Sequence, residues 1–253
     1  MDNIQRAYLT GLTGTVAPFL KKSLHDQSIE VVGHHLRIEH DQDILRSIDD
    51  VKSYQPNMIF HLALGPIAWA EALARYAYEH KLKFIYISTA SVFDDNAAGP
   101  YEIDTLVKAK AGYPLYKFQC EEAVRKVNPN AYILRIGWQI DPNQRPDTNN
   151  MFRFFKEQFD RQGKIVVSDT FFPSTSWLPD TAKAIVKSLK YPSGLYHLNG
   201  NHDSLYAITT YLKKRFRKDW LIEKDVTFSR NDILLDRRIN IPPVIRSWMG
   251  VKY

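Results

Sequence analysis

The chain has 253 residues, 44% of them hydrophobic, with a formal net charge of +6 and a pI of about 9.2. That length suits one α/β domain, or one domain with a small appendage, and is enough to bury a sizeable core. The single cysteine, Cys120, excludes an intrachain disulfide framework and suits a reducing cytoplasm. The most apolar stretch, Ile59 to Ala74, contains His61, Pro66 and Glu71, which excludes a membrane span.

Taken in chain order, short apolar runs alternate with amphipathic segments. Ala7–Thr10 reads as a strand leading straight out of the N-terminus, with no signal peptide. A helix over Val16–Leu24, a strand over Ile29–Gly33 and a helix over Ile44–Tyr54 follow. The strand Met58–Leu62 precedes a helix over Ala68–His80, and Phe84–Ser88 is the next strand. Tyr113–Val127 has helical periodicity and Tyr132–Ile136 reads as a strand. This alternation predicts a Rossmann-type, doubly wound parallel sheet covered on both faces.

Residues 141–150 then read as a loop by composition. Beyond it, Met151–Gln162 and Asp180–Leu189 read as helices, and Lys164–Val167 and Gly194–Leu198 as strands. A further helix begins near Leu205. We expect residues 1–140 to form the nucleotide-binding core. Residues 141–253 should complete it and form a smaller substrate-side region.

The turn after the first strand reads Thr10-Gly11-Leu-Thr13-Gly14-Thr15-Val-Ala17. Gly11 permits a tight turn, Gly14 allows close approach to a phosphate, and Ala17 lets helix and strand pack closely. The helix start offers N–H groups and a positive dipole end. Gly11, Thr13, Gly14 and Thr15 are therefore candidate phosphate contacts. Cofactor choice is read at the end of the second strand, where an acid would hold a ribose hydroxyl. The segment Val32-Gly33-His34-His35-Leu36-Arg37 has no acid there. It favours NADP(H) over NAD(H), with His34 and Arg37 as candidate contacts of a 2′-phosphate.

Tyr113 and Lys117 lie one helical turn apart. A free tyrosine ionises near pH 10, and a neighbouring cation lowers that value, so the pair suits proton transfer. Thr89, at the end of the Phe84–Ser88 strand, is placed to hydrogen-bond a substrate oxygen. His61 reads as a packed or cofactor-lining residue. The eight histidines show no metal spacing. The basic run Lys213–Lys218 reads as the solvated end of a helix and lacks the aromatic pattern of a nucleic-acid platform, so neither nucleic acid nor membrane is an expected partner.

A glycine turn, then Ser88-Thr89, then Tyr113-x-x-x-Lys117 is the order found in extended short-chain dehydrogenase/reductases. Tyr86-Ile-Ser-Thr-Ala-Ser-Val-Phe93 and Tyr113-Pro-Leu-Tyr-Lys-Phe-Gln-Cys-Glu121 resemble segments of the dTDP-4-dehydrorhamnose reductases. So do Ile133-Leu-Arg-Ile-Gly-Trp138, Asn149-Asn150-Met-Phe152 and Gly194-Leu-Tyr-His197. The resemblance implies an NADP(H)-preferring cytoplasmic reductase of a keto group on a nucleotide-linked sugar. Thr89, Tyr113 and Lys117 would be catalytic. Leu62, Ala63, Leu64 and Ser88 would line the cofactor, and Trp138 and Asn150 would contact substrate. It leaves a homodimer open, together with two alternatives: an epimerase or dehydratase, and a non-catalytic NADP-binding regulatory subunit. The chain departs from that family after Gly65, where an acidic stretch is replaced by Pro66 and Trp69. It departs again at Ala90 and Ser91, and in its tail.

Overall fold

The computed structural model describes residues 5–34 and 37–246. In chain order its elements begin β1 (Arg6–Thr10), α1 (Ala17–His25), β2 (Glu30–His34), α2 (Asp41–Tyr54), β3 (Met58–His61), α3 (Ile67–Glu79) and β4 (Lys83–Thr89). A short 3-10 turn, Ala90–Phe93, leads on to α4 (Gly112–Val127), β5 (Tyr132–Ile136), β6 (Trp138–Ile140), α5 (Met151–Gln162), β7 (Ile165–Ser168) and β8 (Phe171–Phe172). The series closes with β9 (Thr175–Trp177), α6 (Leu178–Ser188), β10 (Gly194–Leu198), α7 (Leu205–Arg215), β11 (Ile222–Asp225) and β12 (Arg230–Asn231).

Six strands form one parallel sheet in the order β10-β5-β4-β3-β1-β2. Its inner strands are buried on both faces: β3 and β5 are buried throughout, and β1 over all but its first residue. That is the signature of a parallel sheet under helices. β1 pairs with β2 on one side and β3 on the other, so the winding reverses at β1. Such a switch point opens a crevice beyond the carboxyl ends of the strands, where ligands bind in this class of sheet.

The chain divides into two compact units. One takes Met1–Asp95, Val107–Arg135 and Ala182–Tyr196; the other takes Asn96–Leu106, Ile136–Thr181 and His197–Tyr253. The division expected at residue 140 falls close to one crossing, but the chain crosses back so that β10 can complete the sheet. The second unit carries three two-stranded pairs, β6 with β9, β7 with β11 and β8 with β12. They surround a core containing Phe152, Phe155, Trp177, Leu212 and Trp220. The expected helices and strands appear with ends shifted by a few residues. The added strands β6, β8, β9 and β12 are two or three residues long and too short to show a period, and β11, with the sequence Ile-Glu-Lys-Asp, has no apolar run.

At the switch point, the Thr10 hydroxyl accepts from the backbone N–H of Leu62 (3.1 Å) and of Ala63 (3.2 Å). With both acceptor positions taken, its proton goes to His61 Nδ1 at 2.9 Å, which leaves Nε2 protonated. The imidazole is boxed in by Trp69, edge-on at 4.7 Å, and by Tyr86, stacked at 5.7 Å. Burial, and then the charge on Lys117, push its pKa down to about 3. His61 is thus a neutral core residue. Trp69 is anchored through Nε1 to Ser47 Oγ at 2.9 Å, which ties α3 to α2.

Two outcomes follow. The His61 ring should show no titration between pH 5 and 8 in histidine NMR. The unfolded chain takes up that proton near pH 6.5, so this ring lowers stability progressively as pH falls through 6.5. Trp69→Ala should cost about 3–5 kcal/mol, read as a lower denaturant midpoint, because it opens a cavity and removes the indole's bond to the Ser47 hydroxyl.

Candidate functional site

The turn from β1 into α1 is built for close approach. Gly11 has φ +70, and a Cβ there would stand 3.1 Å from the backbone of Ala63. Gly14 N–H donates to the Gly11 carbonyl at 2.9 Å and closes the turn. α1 opens at Val16 with no capping side chain and no acid in its first turn, and a proline sits among its first residues. Thr13 and Gly14 are exposed, whereas Val16 and Ala17 are buried. A dinucleotide pyrophosphate fits this cradle, with Gly11, Thr13, Gly14 and Thr15 beside the helix start. Leu62, Ala63 and Leu64 lie just past the end of β3, and the Thr10 clip holds the first two of them against the glycine turn.

The same loop is held from the other side by a residue that sequence reasoning missed. Tyr116 donates its hydroxyl proton to the Gly65 carbonyl (2.7 Å) and accepts from the Gly65 N–H (3.2 Å). Gly65 is required here, since a Cβ would come within 2.6 Å of the Trp69 ring. Pro66 directly precedes α3, and Trp69 is buried within the first turn of that helix. The signal for Tyr116 lay in its position one residue before Lys117, but one tyrosine among many on a helix carries no distinguishing pattern.

Tyr113, Lys117 and Thr89 come together at the end of β4. Tyr113 keeps 47% of its surface exposed, while Lys117 is 3% exposed. Burial raises the Tyr113 pKa above its ordinary value, and a hydrogen bond with Thr89 acts in the opposite direction. Thr89 Oγ1 also accepts from Ser91 N–H at 3.1 Å, capping the 3-10 turn. Lys117 Nζ donates to the Ile87 carbonyl at 2.8 Å and lies 4.2 Å from the centre of the Tyr86 ring. Burial pulls its pKa down to about 8, against the influence of Cys120 and Glu121. Lys117 thus points to the strand end, and the fall in the phenol pKa expected from it is not realised in this arrangement.

The other expected residues are less uniform. Ser88 is buried, and its hydroxyl donates its proton to Glu121 Oε1 at 2.5 Å. His34 ends β2 opposite Thr10, but its side chain, like the whole of His35, lies outside the described residues. Arg37 is 88% exposed and paired with Glu39 at 2.7 Å, an acid the reading of the strand end did not weigh. Asn150 is buried: its Oδ1 accepts from Phe152 N–H at 2.8 Å and its Nδ2 donates to Arg145 O at 2.6 Å. That makes it the cap of α5, a structural role in place of the expected substrate contact. Trp138 is partly exposed at the start of β6, edge-on to Phe154 at 5.0 Å. The basic run closes α7, where cations suit the dipole, and Arg215 lies 4.8 Å from the Trp177 ring. Among the described residues no cluster of metal-ligating side chains occurs, and no helix is long and apolar enough to cross a membrane.

Known proteins resemble this chain in sequence or fold. A spore coat polysaccharide biosynthesis protein, SpsK, of Bacillus subtilis is 27% identical over 119 residues, covering 47% of this chain and 41% of its own. A probable low-salt glycan biosynthesis reductase, Agl14, of Haloferax volcanii is 26% identical over 175 residues, covering 58% of this chain and 57% of its own. The chain therefore spans about half the length of these curated relatives. A dTDP-4-dehydrorhamnose reductase of Bacillus anthracis, solved in complex with NADP, superposes with a TM-score of 0.79 over 95% of each chain at 17% identity. At that identity the likeness establishes the fold. The family model of the RmlD substrate binding domain matches residues 67–221, more than half of the sequence, and the chain belongs to that family.

Proposed function

We propose that the chain is an NADP(H)-preferring reductase of the extended short-chain type, acting on a keto group of a nucleotide-linked sugar. The observation that carries this reading is the convergence of Thr89, Tyr113 and Lys117 at the end of β4, in a sheet whose glycine turn fits a dinucleotide. The reductase name of the Haloferax relative and the family match support it.

The roles follow from the chemistry of each group. The cofactor would supply a hydride to the carbonyl carbon. The Thr89 hydroxyl holds the carbonyl oxygen, and Tyr113 delivers the proton that turns it into an alcohol. A phenol raised above its ordinary pKa is protonated at neutral pH, and that is the form reduction uses. Lys117, still largely charged at pH 7, holds ribose hydroxyls of the cofactor. Trp138 is assigned to the sugar, because an aromatic face packs on the apolar side of a pyranose while its N–H stays available. A buried free thiol at Cys120 suits a cytoplasmic setting.

Calorimetry should show tighter binding of NADPH than of NADH; equal or better binding of NADH removes the cofactor preference. With keto-sugar nucleotides as substrates, Tyr113→Phe should keep cofactor affinity and lower turnover by roughly 10²-fold or more. Intact turnover in that variant would overturn the mechanism, and cofactor binding without turnover of any such sugar would identify a binding subunit.

A further inference from the structure

Beneath the Thr89 corner lies a charged group closed off from water. Glu121 on α4 is fully buried, and the Arg135 side chain on β5 is 2% exposed. The guanidinium grips the carboxylate at two points, Nε to Oε1 at 3.0 Å and Nη2 to Oε2 at 2.7 Å. Ser88 adds its hydroxyl to Oε1, and the guanidinium lies 4.9 Å from the ring of Phe93, in the turn that Thr89 caps. One helical turn before Glu121, Lys117 binds the carbonyl of Ile87. The last three residues of β4 are therefore held one by one: Ile87 by Lys117, Ser88 by Glu121, and Thr89 by the Ser91 amide.

A buried ion pair is a poor source of stability, because desolvation cancels most of the attraction and apolar replacements are often neutral or better. A fork of this geometry does fix directions, since the planar guanidinium accepts a carboxylate in few orientations. We propose that Glu121 is a positioning residue of the site, tying Ser88 to Arg135 and so holding Thr89 and Lys117 in their working places. The inference rests on the reading of Thr89, Tyr113 and Lys117 as the catalytic set.

The groups facing Lys117 are His61 from β3, Tyr86 from β4, and Cys120 and Glu121 on its own helix. Glu121 is the carboxylate among them, and it helps Lys117 resist the loss of its charge. NADPH affinity of the wild type should fall as pH rises through about 8, where Lys117 becomes neutral. In Glu121→Gln that fall should begin about one pH unit lower. If leaving Arg135 unpaired prevents folding, the double variant Glu121→Met with Arg135→Met removes both charges at similar volume. It should fold, keep the early fall in affinity, and lose roughly tenfold in turnover at pH 7. Glu121→Asp, which keeps the charge, should restore the wild-type pH profile, and Ser88→Ala should keep that profile while lowering kcat with KM unchanged. A folded double variant with the wild-type pH profile and turnover would overturn the positioning role alone. A wild type that binds no NADPH at any pH would overturn the reductase reading itself, and this inference with it.

Discussion

Everything at the candidate site hangs on the reversal of winding at β1. Because β2 and β3 lie on opposite sides of it, the chain leaves β1 and β3 into a gap that no crossover helix covers. The gap has to be kept at a set width, and one hydroxyl does this. Thr10 binds two backbone amides of the neighbouring loop and one imidazole, all within 3.2 Å. Gly11 then fits against Ala63 with no room for a side chain. A threonine in this position joins the two loops directly, while Tyr116 holds the second of them from its other side.

The second theme is how burial sorts charge. His61, Lys117 and Tyr113 lie in one region, and burial pushes each toward its neutral form. The results differ because the starting values differ. The imidazole is neutral across the physiological range, the phenol stays protonated, and the ammonium is left close to its midpoint at about 8. Cys120 and Glu121 weigh on that last balance against burial, and Arg135 holds both oxygens of Glu121.

Much of this was legible in the sequence, for identifiable reasons. Fully buried strands such as β3 and β5 stand out as largely apolar runs, and the helices flanking them have a clear period. Gly11, Gly14, Tyr113 and Lys117 stood out because spacing alone places them at a turn or on one helix face. What stayed hidden depends on contacts across the chain. Thr10 and His61 are 51 residues apart, and Tyr116 reaches Gly65 over the same separation. Ser88 was read as lining a cofactor because the resemblance implied it, and its hydroxyl answers to a carboxylate 33 residues on. Asn150 was read as a ligand contact because the resemblance implied it. The capping geometry that claims its amide depends on where α5 begins, which sequence reading locates only to within a few residues.

The order of strands has a consequence for how the protein is made. The sheet's edge strand, β10, is encoded after most of the second unit's helices and strands have already left the ribosome. Until Leu198 has emerged, β5 offers an open row of backbone donors and acceptors, the kind of edge on which chains pair wrongly. The nascent sheet must therefore wait, unsealed, through the synthesis of a second body. A cut near residue 140 would make that delay permanent. The second unit cannot be exchanged between relatives as a single cassette, because it is threaded through the first in three separate pieces.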